Sequence, residues 1–272
     1  MGSKTDTIEK AALLDRSDIL GFLFHPRRPS GTMTDDRIEE ITVSTTDNAS
    51  IGCRLHLGGK DNPTILFFHG NGEIAHDYDP IGPVYLSFGL NFIVADYRGY
   101  GISTGKPGVS AMLRDAYAVF DKICTLLEQK GHRGPLWVMG RSLGSAPAIE
   151  IAANRDDSVA GLIVESGFAG INDLLARLGI LPRDLMIDEA MLFSNADGIR
   201  HFNGPVMIIH AEHDHIIPLE HGRLLFESAP TPRKTMKTIG GADHNNIFAL
   251  AGMSYFQDIH AFIAHHGDGG AG

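Results

Sequence analysis

Five residues, Pro135-Leu136-Trp137-Val138-Met139, run directly into Gly140-Arg141-Ser142-Leu143-Gly144, and the small helix formers of Ala146–Ala153 follow at once. The pattern reads as a buried strand, a glycine-bounded turn and a helix, with Pro147 tolerated because it falls in the first helical turn. No other stretch narrows the fold so far. A strand joined to a helix through so short a turn holds Ser142 in a strained backbone conformation, with its hydroxyl raised above the sheet edge as in a nucleophile elbow. Gly140 and Gly144 are expected where strand and helix approach too closely for a Cβ. The turn also aims the unpaired N–H groups of the helix start at any negative charge that forms beside Ser142. G-x-S-x-G alone also arises by chance, so a base, an acid and an oxyanion hole must be found elsewhere in the chain.

Taken in order, the chain alternates strand and helix patterns around that turn. Asp18–Phe24 is apolar and leads into the rigid surface segment His25-Pro26-Arg27-Arg28-Pro29. Arg37–Thr45 and Ser50–Leu57 alternate apolar and polar residues about Thr46-Asp47-Asn48, which predicts an antiparallel hairpin. Thr64–Phe68 is an unbroken apolar run and reads as a buried parallel strand. Strands are then expected at Asn91–Ala95, Leu136–Met139, Gly161–Val164, Gly204–His210 and Thr235–Ile239. Helices are expected around Ile81–Phe88, Ala111–Leu127 and Leu219–Ser228, with one closing helix at Ile247–His265. Repeated βα units imply a mostly parallel sheet covered on both faces, with ligands at the carboxyl ends of its strands. Between Val164 and Pro205 lie roughly forty residues, too many for an ordinary connection. They carry Leu174, Leu178, Leu181, Leu185, Met186, Leu192 and Phe193, and a small helical cap over the carboxyl edge is predicted at about 168–203. The whole of 1–272 reads as one domain with a disordered tail at 267–272.

The polar candidates each follow a predicted strand. His69-Gly70-Asn71-Gly72-Glu73 comes after Thr64–Phe68, where the backbone N–H of Asn71 and that of Leu143 are placed to hold an oxyanion. Asp214 follows Val206–His210, and His244 follows Thr235–Ile239. A serine hydroxyl is a poor nucleophile until a neutral imidazole takes its proton, and a buried carboxylate fixes the tautomer of that imidazole. With fourteen histidines in the chain, only position singles out His244, after the last strand. Asp214 is the favoured acid; Glu165, Glu212 and Asp243 are its rivals.

These motifs together resemble the α/β-hydrolase superfamily. The chain is most similar to its branch of esterases, lysophospholipase-like and depalmitoylase-related proteins. The residues that carry the resemblance are His69-Gly70-Asn71-Gly72, the run Asp96-Tyr97-Arg98-Gly99-Tyr100-Gly101-Ile102-Ser103-Thr104-Gly105, Gly140–Gly144, His210–Asp214 and Ala242-Asp243-His244. The resemblance implies an α/β-hydrolase fold and a serine esterase acting on carboxylic esters or thioesters. It gives the Asp96–Gly105 run a structural role lining the site. No N-terminal cysteine cluster of the membrane-attached depalmitoylases is present, which argues against that activity.

Bulk properties exclude other classes. A formal net charge of −10 without a basic cluster argues against a nucleic-acid binder. Two cysteines cannot build a disulfide framework, and no signal-like or membrane-spanning apolar run occurs, so a cytoplasmic protein with no transmembrane segment is expected. No cofactor and no metal is expected, and the partner is a small-molecule ester; oligomeric state is left open. Two alternatives stand beside the esterase: a non-catalytic binding protein on the same fold, and a metallohydrolase built on His210-Ala211-Glu212-His213-Asp214-His215, which nearly spells a zinc motif. Haloalkane dehalogenases and epoxide hydrolases share the fold but need an aspartate where Ser142 stands.

Overall fold

The computed structural model describes residues 4–30, 38–181 and 186–267. The unbroken apolar runs become strands buried along their whole length: β3 (Thr64–Phe68), β4 (Asn91–Ala95), β5 (Leu136–Arg141), β6 (Gly161–Glu165) and β7 (Val206–Ala211). The hairpin supplies β1 (Glu39–Ser44) and β2 (Ser50–His56), and β8 (Lys234–Ile239) closes the far edge. Among the described residues these form one eight-stranded sheet of order β1-β2-β4-β3-β5-β6-β7-β8. β1 pairs antiparallel with β2, and β2 antiparallel with β4; every other neighbour is parallel.

Alternate residues of each strand enter cores on opposite faces, as the period of two requires. Val138, Leu66, Leu162 and Ile208 join one core. Trp137, Met139, Phe67, Ile163 and Met207 join the other. On the first face lie α1 (Lys4–Ala12), α2 (Ser17–Leu23), α4 (Val109–Gln129) and α5 (Ser145–Asn154). The second is covered by α3 (Gly82–Ser87) and the C-terminal helices.

Three departures from the sequence reading stand out. α1 was not expected; it packs on α4, and its apolar stripe is too short to register beside its charges. The single closing helix is two, α9 (Ile247–Ala251) and α10 (Met253–Gly267), broken at Gly252 with a φ of 53° that a continuing α-helix cannot contain. The insertion after β6 holds α6 (Ile171–Arg177), a 3₁₀ turn at Glu189–Met191 and α7 (Asn195–Ile199), and α7 packs on α5 and on α8 (Leu219–Ser228). Leu174, Leu175, Leu192 and Phe193 are spent in the core, whereas Leu178, Met186 and Met191 are exposed. Leu185 and the tail beyond Gly267 lie outside the described residues.

Candidate active site

The elbow is formed as its glycines require. Ser142 has a φ of 51°, a left-handed conformation that costs a non-glycine residue on the order of 1 kcal/mol or more. A Cβ on Gly140 would come within 2.1 Å of the Gly144 carbonyl oxygen, and one on Gly144 within 2.0 Å of that of Phe68. Only glycine permits that approach.

Above the elbow, His244 and Asp214 meet Ser142 in one row. His244 Nε2 lies 3.0 Å from Ser142 Oγ, and His244 Nδ1 lies 2.7 Å from Asp214 Oδ2. All three are buried, which strengthens each of these bonds. The second carboxylate oxygen of Asp214 accepts the N–H groups of Ile216 and Ile217 at 3.0 and 2.7 Å. Burial pushes the Asp214 carboxyl up, but the hydrogen bond and charge of His244 and the Ile217 N–H outweigh it and hold the group below its ordinary value. It is an ionised acceptor.

The rival acids are engaged elsewhere. Glu212 accepts the Gly241 N–H, and Asp243 accepts Asn245 N–H and Asn246 Nδ2. Glu165 is buried against Arg141 and Tyr255, and burial raises its carboxyl above the usual range despite both partners. The His210–His215 run does not converge either. His210 Nε2 donates to the Ile217 carbonyl at 2.7 Å, Asp214 faces His244, and His213 is exposed. Among the described residues no three such side chains gather as metal ligands.

Asn71 and Leu143 lie on the two loops that flank Ser142, after β3 and in the elbow itself. Among the described residues neither backbone N–H is a donor in the backbone hydrogen bonds outside the helices and strands.

Arg141 is the residue that motif reading passed over. From the variable position of G-x-S-x-G it donates Nε to Glu165 at 2.9 Å and Nη2 to the His244 carbonyl at 2.6 Å, and pairs through Nη1 with Glu73. Glu73 in turn accepts the Gly70 N–H and the Tyr78 hydroxyl. One guanidinium therefore ties the elbow, the Gly70–Glu73 loop and the His244 loop. Burial opposes its charge, but Glu73 and Glu165 outweigh it and keep the guanidinium protonated. The available signal was a charge at the end of an apolar strand, because a buried charge must find a partner. Arg141→Ala strands Glu165 without its counter-charge and is expected to destabilise the fold by about 3–5 kcal/mol. Urea denaturation checks this; an unchanged midpoint contradicts it.

Known proteins resemble this chain in sequence and fold. A family model described as serine aminopeptidase, S33, matches residues 59–186. Protein bem46 of Schizosaccharomyces pombe is 29% identical over 239 residues, covering 83% of this chain and 76% of its own. The lysophosphatidylserine lipase ABHD12 of Xenopus tropicalis is 31% identical over 188 residues, covering 63% of this chain and 48% of its own, so this chain spans about half of that relative. Among solved structures, the esterase Pf2001 of Pyrococcus furiosus superposes with a TM-score of 0.73 at 17% identity, covering 90% of this chain and 98% of its own, a likeness of fold. Among the described residues no helix is long and apolar enough to cross a membrane.

Proposed function

Because this chain is a member of the α/β-hydrolase superfamily, with esterase- and lipase-type relatives, we propose that it is a serine hydrolase of carboxylic esters working through an acyl-enzyme on Ser142. One observation carries the reading: the Ser142–His244–Asp214 row, at 3.0 and 2.7 Å, on a strained elbow. His244 Nε2 takes the Ser142 proton as Oγ attacks the ester carbonyl. The tetrahedral oxyanion takes the N–H groups of Asn71 and Leu143. His244 then hands its proton to the leaving alkoxide, which departs as the alcohol. In the second half, His244 deprotonates a water that attacks the acyl carbonyl, and Ser142 Oγ leaves with the proton, releasing the acid. Asp214 holds the ring with Nε2 unprotonated at the start and offsets the imidazolium charge.

The acyl preference is proposed from the insertion after β6. Its Leu178, Met186 and Met191 are exposed, and their apolar contact with a neutral acyl chain is part of this proposal. Each buried methylene is worth about 0.8 kcal/mol, or roughly a fourfold gain in kcat/KM, until the site fills. Hydrolysis of p-nitrophenyl esters, from acetate to palmitate, is expected to rise to a maximum at short or medium chains, with amides much slower. A flat profile, or preference for a charged acyl group, contradicts this. A fluorophosphonate probe separates the enzyme from a non-catalytic binder on the same fold, because only an activated serine takes the label.

A further inference from the structure

The segment His25–Arg28 lies across the loop after β3, and the polar groups of the two are used on each other. The His25 N–H is shared between Asn71 Oδ1 at 2.9 Å and the Tyr100 hydroxyl at 2.7 Å. Tyr100 donates to the same Oδ1 at 2.7 Å. An atom that receives two donors is the amide oxygen, so the other is the nitrogen, and it faces His25 Nδ1 at 2.9 Å. The amide donates there; His25 Nδ1 accepts and carries no proton. Further along, Arg27 Nε donates to the Gly72 carbonyl at 2.6 Å and its guanidinium pairs with Asp77. The Arg27 carbonyl accepts the Gly101 N–H at 3.0 Å, and Arg28 Nη1 donates to the carbonyls of Gly101 and Ser103, both at 2.8 Å. Pro26 and Pro29 lock φ on either side of the two arginines.

From this we infer that the segment His25–Arg28 is a positioning element of the active site: His25 and Tyr100, by gripping the Asn71 side chain, set the direction of the Asn71 N–H. The need arises from the sequence of the loop. Asn71 sits between Gly70 and Gly72, whose backbones are intrinsically permissive. The Gly70 carbonyl, in the peptide that carries the Asn71 N–H, accepts His69 Nδ1 at 2.8 Å and the Glu73 N–H at 3.4 Å, and the Asn71 side chain supplies a further hold. A donor stabilises a developing oxyanion only when it is already aimed at it. Here the loop's own bonds to the Gly70 carbonyl are joined by a grip from outside it, through a side chain held at both its oxygen and its nitrogen. The Tyr100 ring, fully buried, ties that grip to the Asp96–Gly105 run. That run thereby acquires a definite task beyond lining the site.

The inference rests on the proposed use of the Asn71 N–H, and the experiment separates the two. His25→Leu removes the ring acceptor and Tyr100→Phe removes the hydroxyl; both leave the core intact. Loss of one oxyanion donor costs about 10²–10³ in kcat, so a donor left in place but loosely aimed is expected to cost about tenfold, with KM within about twofold. His25→Gln, whose amide oxygen can accept from Asn71 Nδ2, is expected to recover most of the rate. The deciding measurement repeats His25→Leu in an Asn71→Ala background, with p-nitrophenyl butyrate as substrate. With no amide to hold, the second substitution should change kcat by less than about twofold. Equal losses in the two backgrounds, or an undiminished kcat in His25→Leu, overturn the positioning role. A wild-type protein that takes no fluorophosphonate label sinks the active-site reading and this inference with it.

Discussion

Ser142→Ala is expected to lower kcat by about 10⁴-fold or more while the folded protein persists. Ser142 Oγ is the atom to which His244 Nε2 is bonded at 3.0 Å, and a methyl group there has neither a proton to give nor a lone pair to attack with. Binding and the N–H groups of Asn71 and Leu143 are untouched, so a residual rate above water and a near-normal KM should survive. The substitution costs little stability, because alanine at a φ of 51° meets the same strain as serine. Covalent labelling gives the sharper answer. If the alanine variant still takes a fluorophosphonate, the nucleophile lies elsewhere.

Asp214→Asn is expected to cost on the order of 10⁴-fold in kcat with the fold intact. An amide in place of the carboxylate no longer dictates a proton on His244 Nδ1, so the ring is free to turn its protonated nitrogen toward Ser142, where it cannot act as a base. Asparagine keeps an oxygen for the Ile216 and Ile217 N–H groups, so the loop should hold its shape. Glu165→Gln is the matching control, since Glu165 faces Arg141 and Tyr255 and does not touch the imidazole. Full activity in Asp214→Asn beside a dead Glu165→Gln would transfer the acid to β6.

Much of this was legible in local pattern. An unbroken apolar run has one stable fate in an α/β arrangement, so Thr64–Phe68 and Asn91–Ala95 match their strands to the residue. The elbow was legible for the same reason, since the glycine spacing between an apolar strand run and a helix-forming run points to a turn that excludes side chains at Gly140 and Gly144. Closing segments were less so. Gly252 breaks a helix that the apolar spacing of Ile247–His265 would otherwise continue, and isolated glycines are tolerated too often inside helices to mark a break.

What the sequence by itself determined was the set of strands and the elbow, because each is written in neighbours a few residues apart. What only the tertiary structure decided was who touches whom across the loops. Asp214, Glu165, Glu212 and Asp243 are equal as carboxylates on a page; side-chain direction at the ends of β6, β7 and β8 gives His244 to Asp214. Arg141 finds its partners 24, 68 and 103 residues away. Asn71 is gripped from His25 and Tyr100, 46 and 29 residues away. No local period encodes such contacts. They exist because β3 lies between β4 and β5 in the sheet, which brings the loops leaving three strands to one edge, where buried polar groups must find partners or forfeit their hydration.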